Sequence, residues 1–158
     1  DWKSSRDLVH ALCETVGKVG NLLLNVGPRG DGSLDPAEAE RLADVAGWMD
    51  RNGEAVHDVG PGLEPWQWYG PSTRRDDRVF LMCLARPYDS VTVRGVPIRR
   101  VARVVELGSG TELTWTTRCS VLDGLFNSDP EGEVRIEVPE DLVDDLATVL
   151  ALDITRAS

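Results

Sequence analysis

The first third of the chain has the hydrophobic pattern of a helix, then of a buried strand, then of a helix again. Apolar residues recur every three or four positions in residues 4–19 and in residues 36–52, which predicts two amphipathic helices. Between them, residues 21–26 contain three consecutive leucines, Leu22–Leu24. A run without alternation predicts a strand that is buried on both faces, as in a parallel sheet covered by helices.

Capping residues mark the ends of both predicted helices. Ser4 and Asp7 have the spacing of a capping box at the start of the first helix, and Gly20 is expected to end it. Asp35 stands before a proline and is the predicted N-cap of the second helix, which Asn52–Gly53 ends.

The loop between the predicted strand and the second helix is rich in glycine, with Gly27, Gly30 and Gly32. A loop this short must reverse the chain direction, and glycine adopts positive φ at no steric cost. We therefore expect at least one of the three to have φ > 0.

From about residue 66 the pattern changes to short strands rich in Val, Thr, Ile and Trp and separated by turn residues. Several short strands without a helical period predict an antiparallel sandwich or barrel. Gly60–Pro65 has the composition of a linker before it. The predicted strands are 66–69, 78–85, 90–94, 101–107, 112–117, 133–138 and 147–154.

Aromatic residues cluster at the first of these strands. Trp66 and Trp68 are expected on one strand face with Tyr69 beside them, where they either stack on a sugar or pack at a domain interface. Trp115 is expected in the core.

Charge and composition restrict the chemistry. A formal net charge of −10 disfavours nucleic acid and anionic lipid as partners, and no apolar run is long enough to cross a membrane. Cys13 and Cys83 lie in apolar runs and are expected to be buried thiols. Three widely spaced cysteines and two histidines offer neither a disulfide framework nor a zinc or His-rich metal site.

The buried strand raises a problem, because a parallel strand needs neighbours on both edges and the downstream pattern supplies none. We interpret residues 21–26 as the last strand of a sheet whose other strands precede Asp1. The chain is then expected to be the C-terminal end of a larger protein.

The same region resembles the end of the catalytic barrel in family 29 glycoside hydrolases, the α-L-fucosidases. The matching segments are Trp2-Lys3-Ser4, Gly20 to Pro28 (GNLLLNVGP), Asp31 to Pro36 (DGSLDP), Trp48, and Asn52 to Ala55 (NGEA). Downstream, residues 72–96 resemble more loosely the hairpin and first long strand of the family's β-sandwich, with Asp76 where the family usually has Gly.

The resemblance implies an α/β remnant, the last strand and helices of a (β/α)₈-like barrel over residues 1–57, followed by an all-β antiparallel sandwich over residues 58–158. It also implies hydrolysis of α-L-fucosides with retention and without a metal or organic cofactor, which needs a nucleophile and an acid/base carboxylate. In the family both lie before the matched segment, so no catalytic residue is expected in this chain. The implied partner is a fucosylated glycan; oligomeric state and localisation stay open.

Three residues are candidates for a role near the chemistry. Asn25 and Gly27 lie at the carboxyl end of the predicted strand, where barrel active sites are built, and either face the sugar or order a neighbouring loop. Glu54 follows a helix end, where a structural hydrogen bond is the alternative to catalysis. The alternative function for the whole chain is a non-catalytic carbohydrate-binding or interaction sandwich.

Overall fold

Two helices at the start of the chain lie against one face of a two-sheet β-structure. The computed structural model describes residues 3–156. Helix α1 is Ser5–Gly17 and helix α2 is Pro36–Asn52, followed by a 3₁₀ turn at Gly53–Ala55. The strands within residues 3–156 are β1 (Gly60–Pro61), β2 (Ser72–Arg75), β3 (Arg78–Cys83), β4 (Ser90–Pro97), β5 (Val101–Glu106), β6 (Thr111–Glu112), β7 (Trp115–Arg118), β8 (Glu131–Glu137) and β9 (Thr148–Ile154). A short helix, α3 (Val121–Phe126), lies between β7 and β8.

The strands form two antiparallel sheets. One has six strands in the order β1-β2-β3-β9-β5-β6, and the other has three in the order β4-β8-β7. Their facing sides enclose the larger hydrophobic core, to which Val79, Leu152, Val93 and Ile136 belong. The antiparallel sandwich expected from the sequence is therefore present.

A second core lies on the opposite face of the six-stranded sheet. In β3, Val79 and Leu81 point into the sandwich, whereas Phe80 and Met82 point to the helices, because successive side chains alternate across a strand. Val9 of α1 and Trp48 of α2 complete this second core and are fully buried. The six-stranded sheet is thus the middle of three layers.

Polar contacts fix the helices to that sheet. The indole Nε1 of Trp48 donates to the carbonyl of Ala147 at 2.8 Å, just before β9. The hydroxyl of Thr73 on β2 donates to the carbonyl of Ala55 at 2.7 Å. Both donors are buried, so each contact satisfies a polar group that would otherwise be costly to remove from water.

The helix predictions are confirmed. Ser4 and Asp7 form the capping box, Asp35 accepts from the backbone N–H of Ala37, and α2 has the predicted limits. The first helix ends at Gly17, before the expected Gly20. Among the loop glycines, Gly32 has φ of 85°, as the chain reversal requires.

The strand expected at residues 21–26 is wrong for this structure. These residues are exposed and pair with no strand in the described part of the chain. The physical reason is that an extended run needs hydrogen-bonding partners at its edges, and the antiparallel strands that follow pair with one another instead.

The sequence also misplaced details of the sandwich. Residues 66–69 form a turn rather than a strand, and the strand pattern omitted β1 and β2. The hairpin that the family resemblance implied at the start of residues 72–96 is formed by β2 and β3. The predicted strand 112–117 is divided, because β6 pairs with β5 in one sheet while β7 pairs with β8 in the other. Helix α3 was also missed, because its six residues are too few for a helical period to show.

The division into residues 1–57 and 58–158 stays a prediction. The helices of the first segment share a core with the sheet of the second, so removing residues 1–57 would expose the Phe80 face of the sheet. Trp2, part of the resemblance, lies outside the described residues.

The second core gives a matched test, because the chain contains one buried and one exposed phenylalanine. Phe80→Ala is expected to lower the free energy of unfolding by about 3–5 kcal/mol, since it leaves a cavity between helices and sheet. Phe126→Ala, at a side chain 83% exposed, should change it by less than about 0.5 kcal/mol. Urea unfolding followed by circular dichroism measures both, and equal effects would contradict the three-layer packing.

Candidate functional site

Asn25 lines a small cleft between the two helices. The cleft has a volume of about 210 Å³ and lies where the chain passes from α1 towards α2. Asn25 itself is exposed. The residues around it are Lys3, Leu8, Leu24, Val26, Glu38, Arg41 and Leu42.

Gly27 lies beside the same cleft, close to a carboxylate. A side-chain carbon at Gly27 would stand 3.7 Å from Oε1 of Glu38, in the first turn of α2. The other oxygen, Oε2, is buried and has no hydrogen-bond partner in the described residues. The structure therefore brings Asn25 and Gly27 together near Glu38, which no sequence signal marked as a site residue.

The segment that carries these residues exposes a continuous apolar run. Leu23 is 89% exposed, and Leu22, Leu24 and Val26 are each about two-fifths exposed. Residues 18–35 form no helix or strand, and structureless connections of this length are uncommon in compact domains. An exposed patch of this kind is typical of an interaction surface.

Glu54 has a structural environment. Its Oε1 accepts from Arg75 at 2.7 Å and from Arg78 at 3.0 Å, and Arg78 also pairs with Asp153 of β9 through two hydrogen bonds. Hydrogen bonds to Asp153, and then to Glu54, raise the pKa of Arg78 above its usual range. This network connects the 3₁₀ turn after α2 to the β2–β3 hairpin and to β9, which agrees with the structural reading of Glu54.

The aromatic residues at 66–69 do not share a face. Trp68 is 2% exposed and belongs to the sandwich core, with its Nε1 donating to the carbonyl of Pro71 at 3.2 Å. Trp66 is 63% exposed, and Tyr69 is also exposed. The expected common strand face is therefore wrong, because a turn at these positions sends the two tryptophans to different environments. Trp115 packs partly buried against the core.

The thiols offer little nucleophilic chemistry. Burial raises the pKa of Cys13 and of Cys83 to about 12, so both are protonated at neutral pH. This confirms the expectation of buried thiols. Cys119, in the loop before α3, is only partly buried.

Neither a metal cluster nor a membrane-spanning helix is found where the structure describes the chain. No group of three His, Cys, Asp or Glu side chains in residues 3–156 is arranged to hold a metal ion. The helices in the same range are too short and too polar to cross a membrane.

A family model described as "Alpha-L-fucosidase" matches residues 1–54. The tissue α-L-fucosidase of Homo sapiens is 32% identical over 138 residues, which is 83% of this chain and 28% of that protein. The structure of α-L-fucosidase isoenzyme 1 from Paenibacillus thiaminolyticus superposes with a TM-score of 0.81 and 27% identity, over 99% of this chain and 36% of that one. The chain is a relative of the α-L-fucosidases.

A further α-L-fucosidase structure, that of Thermotoga maritima α-fucosidase in complex with fucose, is 25% identical with a TM-score of 0.72, over 95% of this chain and 34% of that one. The likeness to the α-L-fucosidases thus extends over both the helices and the sandwich. The chain spans between about a quarter and about a third of the length of these relatives.

Thiol labelling tests the burial of the cysteines. The native chain at pH 8 is expected to react rapidly with one equivalent of Ellman's reagent, at Cys119, and with three equivalents once unfolded in guanidinium. Cys119→Ser should abolish the rapid reaction. Rapid reaction of Cys13 or Cys83 in the native chain would show that the cores open easily.

A charge-removing substitution tests the role of Glu54. Glu54→Gln is expected to lower the free energy of unfolding by about 1 kcal/mol, because two arginines lose their shared carboxylate. The control Glu112→Gln removes one exposed pair with Arg103 and should have no measurable effect on urea unfolding. An unchanged stability for Glu54→Gln would leave the structural role without support.

Proposed function

We propose that this chain is a C-terminal portion of a retaining α-L-fucosidase that hydrolyses α-L-fucosides. The observation that carries the proposal is the joint match of sequence and fold to α-L-fucosidases over nearly the whole chain. One of these relatives is described in complex with fucose, which supports fucose as the sugar recognised.

The carboxylates of the chemistry belong, in this proposal, to the part of such a protein that these residues do not cover. Retaining hydrolysis needs two carboxyl groups about 5–5.5 Å apart, one as nucleophile and one as acid/base. Glu54 is held by two arginines, and Glu38 is the carboxylate beside Asn25. Neither faces a second carboxylate across a closed pocket in the described residues.

The apolar run at Leu22–Val26 supports a contact between this chain and a catalytic barrel. Its exposed leucines would be covered by neighbouring strands, and the pattern of three leucines matches a strand buried on both faces. Asn25 and Gly27 would then stand at the strand's carboxyl end, where barrel enzymes place their active sites. There they would border the sugar pocket or order one of its loops.

Activity measurements test this proposal. The 158-residue chain is expected to release no nitrophenol above background from 4-nitrophenyl α-L-fucoside, because nucleophile, acid/base and oriented substrate are all lost, and acid–base help alone contributes about 10²–10⁴-fold. A longer protein that contains this chain with a catalytic barrel is expected to turn the substrate over.

The controls make the result specific. The longer protein should leave 4-nitrophenyl α-D-glucoside and β-D-galactoside intact, which separates fucoside hydrolysis from a general glycosidase. Turnover by the 158-residue chain that survives repurification and falls in Glu54→Gln or Glu38→Gln would place the active site within these residues. A longer protein that binds fucose but hydrolyses no fucoside would contradict the proposed reaction.

A further inference from the structure

Trp66 is an exposed aromatic residue held in a fixed place. It lies in the turn that follows the segment at Gly62–Glu64, and the backbone N–H of Gln67 donates to the carbonyl of Glu64 at 2.9 Å to close this turn. The side chain of Gln67 donates to the carbonyl of Gly95 at 2.7 Å, and the N–H of Arg94 donates to the carbonyl of Gln67 at 2.9 Å. Gln67, the residue after Trp66, therefore attaches the turn to β4 through both its side chain and its backbone carbonyl.

Gly95 makes room for the indole ring. It lies at the irregularity of β4 between Val93 and Val96 and has φ of 57°. A side-chain carbon built on it would stand only 2.2 Å from Cη2 and 2.5 Å from Cζ3 of Trp66. The six-membered part of the ring thus fills the space that a side chain at position 95 would need, and Trp66 as a whole is 63% exposed.

A polar cleft of about 490 Å³ lies next to the turn that carries Trp66, although Trp66 itself is not among the residues that line it. Glu64, Gln67 and Gly95, which hold Trp66, also line the cleft. The remaining polar side chains around it are Arg74, Asp76, Asp77, Arg100, Thr155 and Arg156. Two of its arginines already have partners, since Arg100 pairs with Asp129 and Arg156 with Asp77.

The charges around the cleft balance. Three arginines and three carboxylates line it, although the chain as a whole carries a net charge of −10. A wall with hydrogen-bond donors and acceptors but no net charge suits a neutral, hydroxyl-rich ligand better than an anion or a cation. The polar lining also disfavours an apolar partner, because a lipid tail or a hydrophobic helix would leave those groups unsatisfied.

We propose that Trp66 and the adjoining cleft form a binding site for a neutral sugar residue of a glycan. The exposed ring presents an apolar face to the C–H groups of a pyranose, and the cleft offers polar side chains to its hydroxyls. The binding site itself does not depend on the hydrolytic function; only the choice of fucosylated ligands as the first probes rests on the proposed function.

Tryptophan signals provide the test. Titration of the ¹⁵N-labelled 158-residue chain with L-fucose, D-galactose, N-acetylglucosamine, lactose and 2′-fucosyllactose is followed at the indole N–H resonances. The Trp66 signal, assigned as the one missing in Trp66→Phe, is expected to shift saturably with at least one sugar, whereas those of buried Trp48 and Trp68 stay in place.

Three variants decide whether the ring binds the sugar. Trp66→Ala is expected to weaken binding by about 3- to 10-fold, measured at the backbone amides around the cleft, because it loses a stacking contact. Tyr88→Ala removes another exposed aromatic ring and should bind as the unmodified chain does. Gly95→Ala should weaken binding while keeping Trp66, because the new methyl group displaces the ring.

Two results would overturn the proposal: no shift of Trp66 with any of the five sugars, or equal affinity of Trp66→Ala and the unmodified chain. Thermal unfolding shows whether Gly95→Ala is folded; if it is not, Trp66→Ala decides alone. Failure here leaves the proposed hydrolysis intact, because that rests on turnover by the longer protein. Conversely, saturable binding without turnover by the longer protein would support this site and contradict the hydrolysis.

Discussion

The burial of β3 and β9 on both faces is the constraint on which the rest of the structure depends. These two strands are central neighbours in the six-stranded sheet, and their side chains alternate between the sandwich core and the helix layer. A sheet buried on both sides must be covered twice, so the three-stranded sheet is needed on one face and the helix pair on the other. The fold therefore needs both the three-stranded sheet and the helix pair, because without either one a hydrophobic face of the six-stranded sheet would be exposed.

The helix layer also explains where the candidate site lies. Val9, Cys13 and Trp48 turn the apolar faces of α1 and α2 towards the sheet, which leaves the connection between the helices on the outside. That connection carries Leu22–Leu24, Asn25 and Gly27. The part of the chain that most resembles a buried strand is therefore the part that the described fold leaves exposed, and a packing partner is the simplest physical account of its composition.

Local signals in the sequence predicted the helices well, because capping and periodicity act over a few residues. Ser4, Asp7 and Asp35 fix helix starts through hydrogen bonds to nearby backbone groups, which are the same in any surrounding fold. Most strands were also found, since β-branched runs and turn residues are local. The prediction of a strand at residues 21–26 failed because a strand needs a neighbouring strand to pair with, and a short sequence pattern does not show whether one is present.

The sequence likewise predicted only part of the candidate site. Asn25 and Gly27 were found from their position at the end of an apolar run, but Glu38, in the first turn of α2, became a candidate only when the fold placed it beside them. The pairing of Glu54 with Arg75 and Arg78 joins residues more than 20 positions apart and carries no sequence signature.

Trp66 shows most clearly what a sequence pattern cannot decide. Two tryptophans separated by one residue have the spacing of a strand face, and in a strand both would be exposed or both buried. A turn closed on Glu64 and attached to Gly95 separates them, so Trp68 completes the sandwich core and Trp66 is left outside. The glycine that permits this lies 29 positions further along the chain, in another strand. Because a side chain at that position would collide with the ring, the place of the Trp66 ring depends on the glycine in β4. An aromatic ring that the fold holds at the surface, beside a cleft whose charges cancel, has the properties that recognition of a neutral sugar requires.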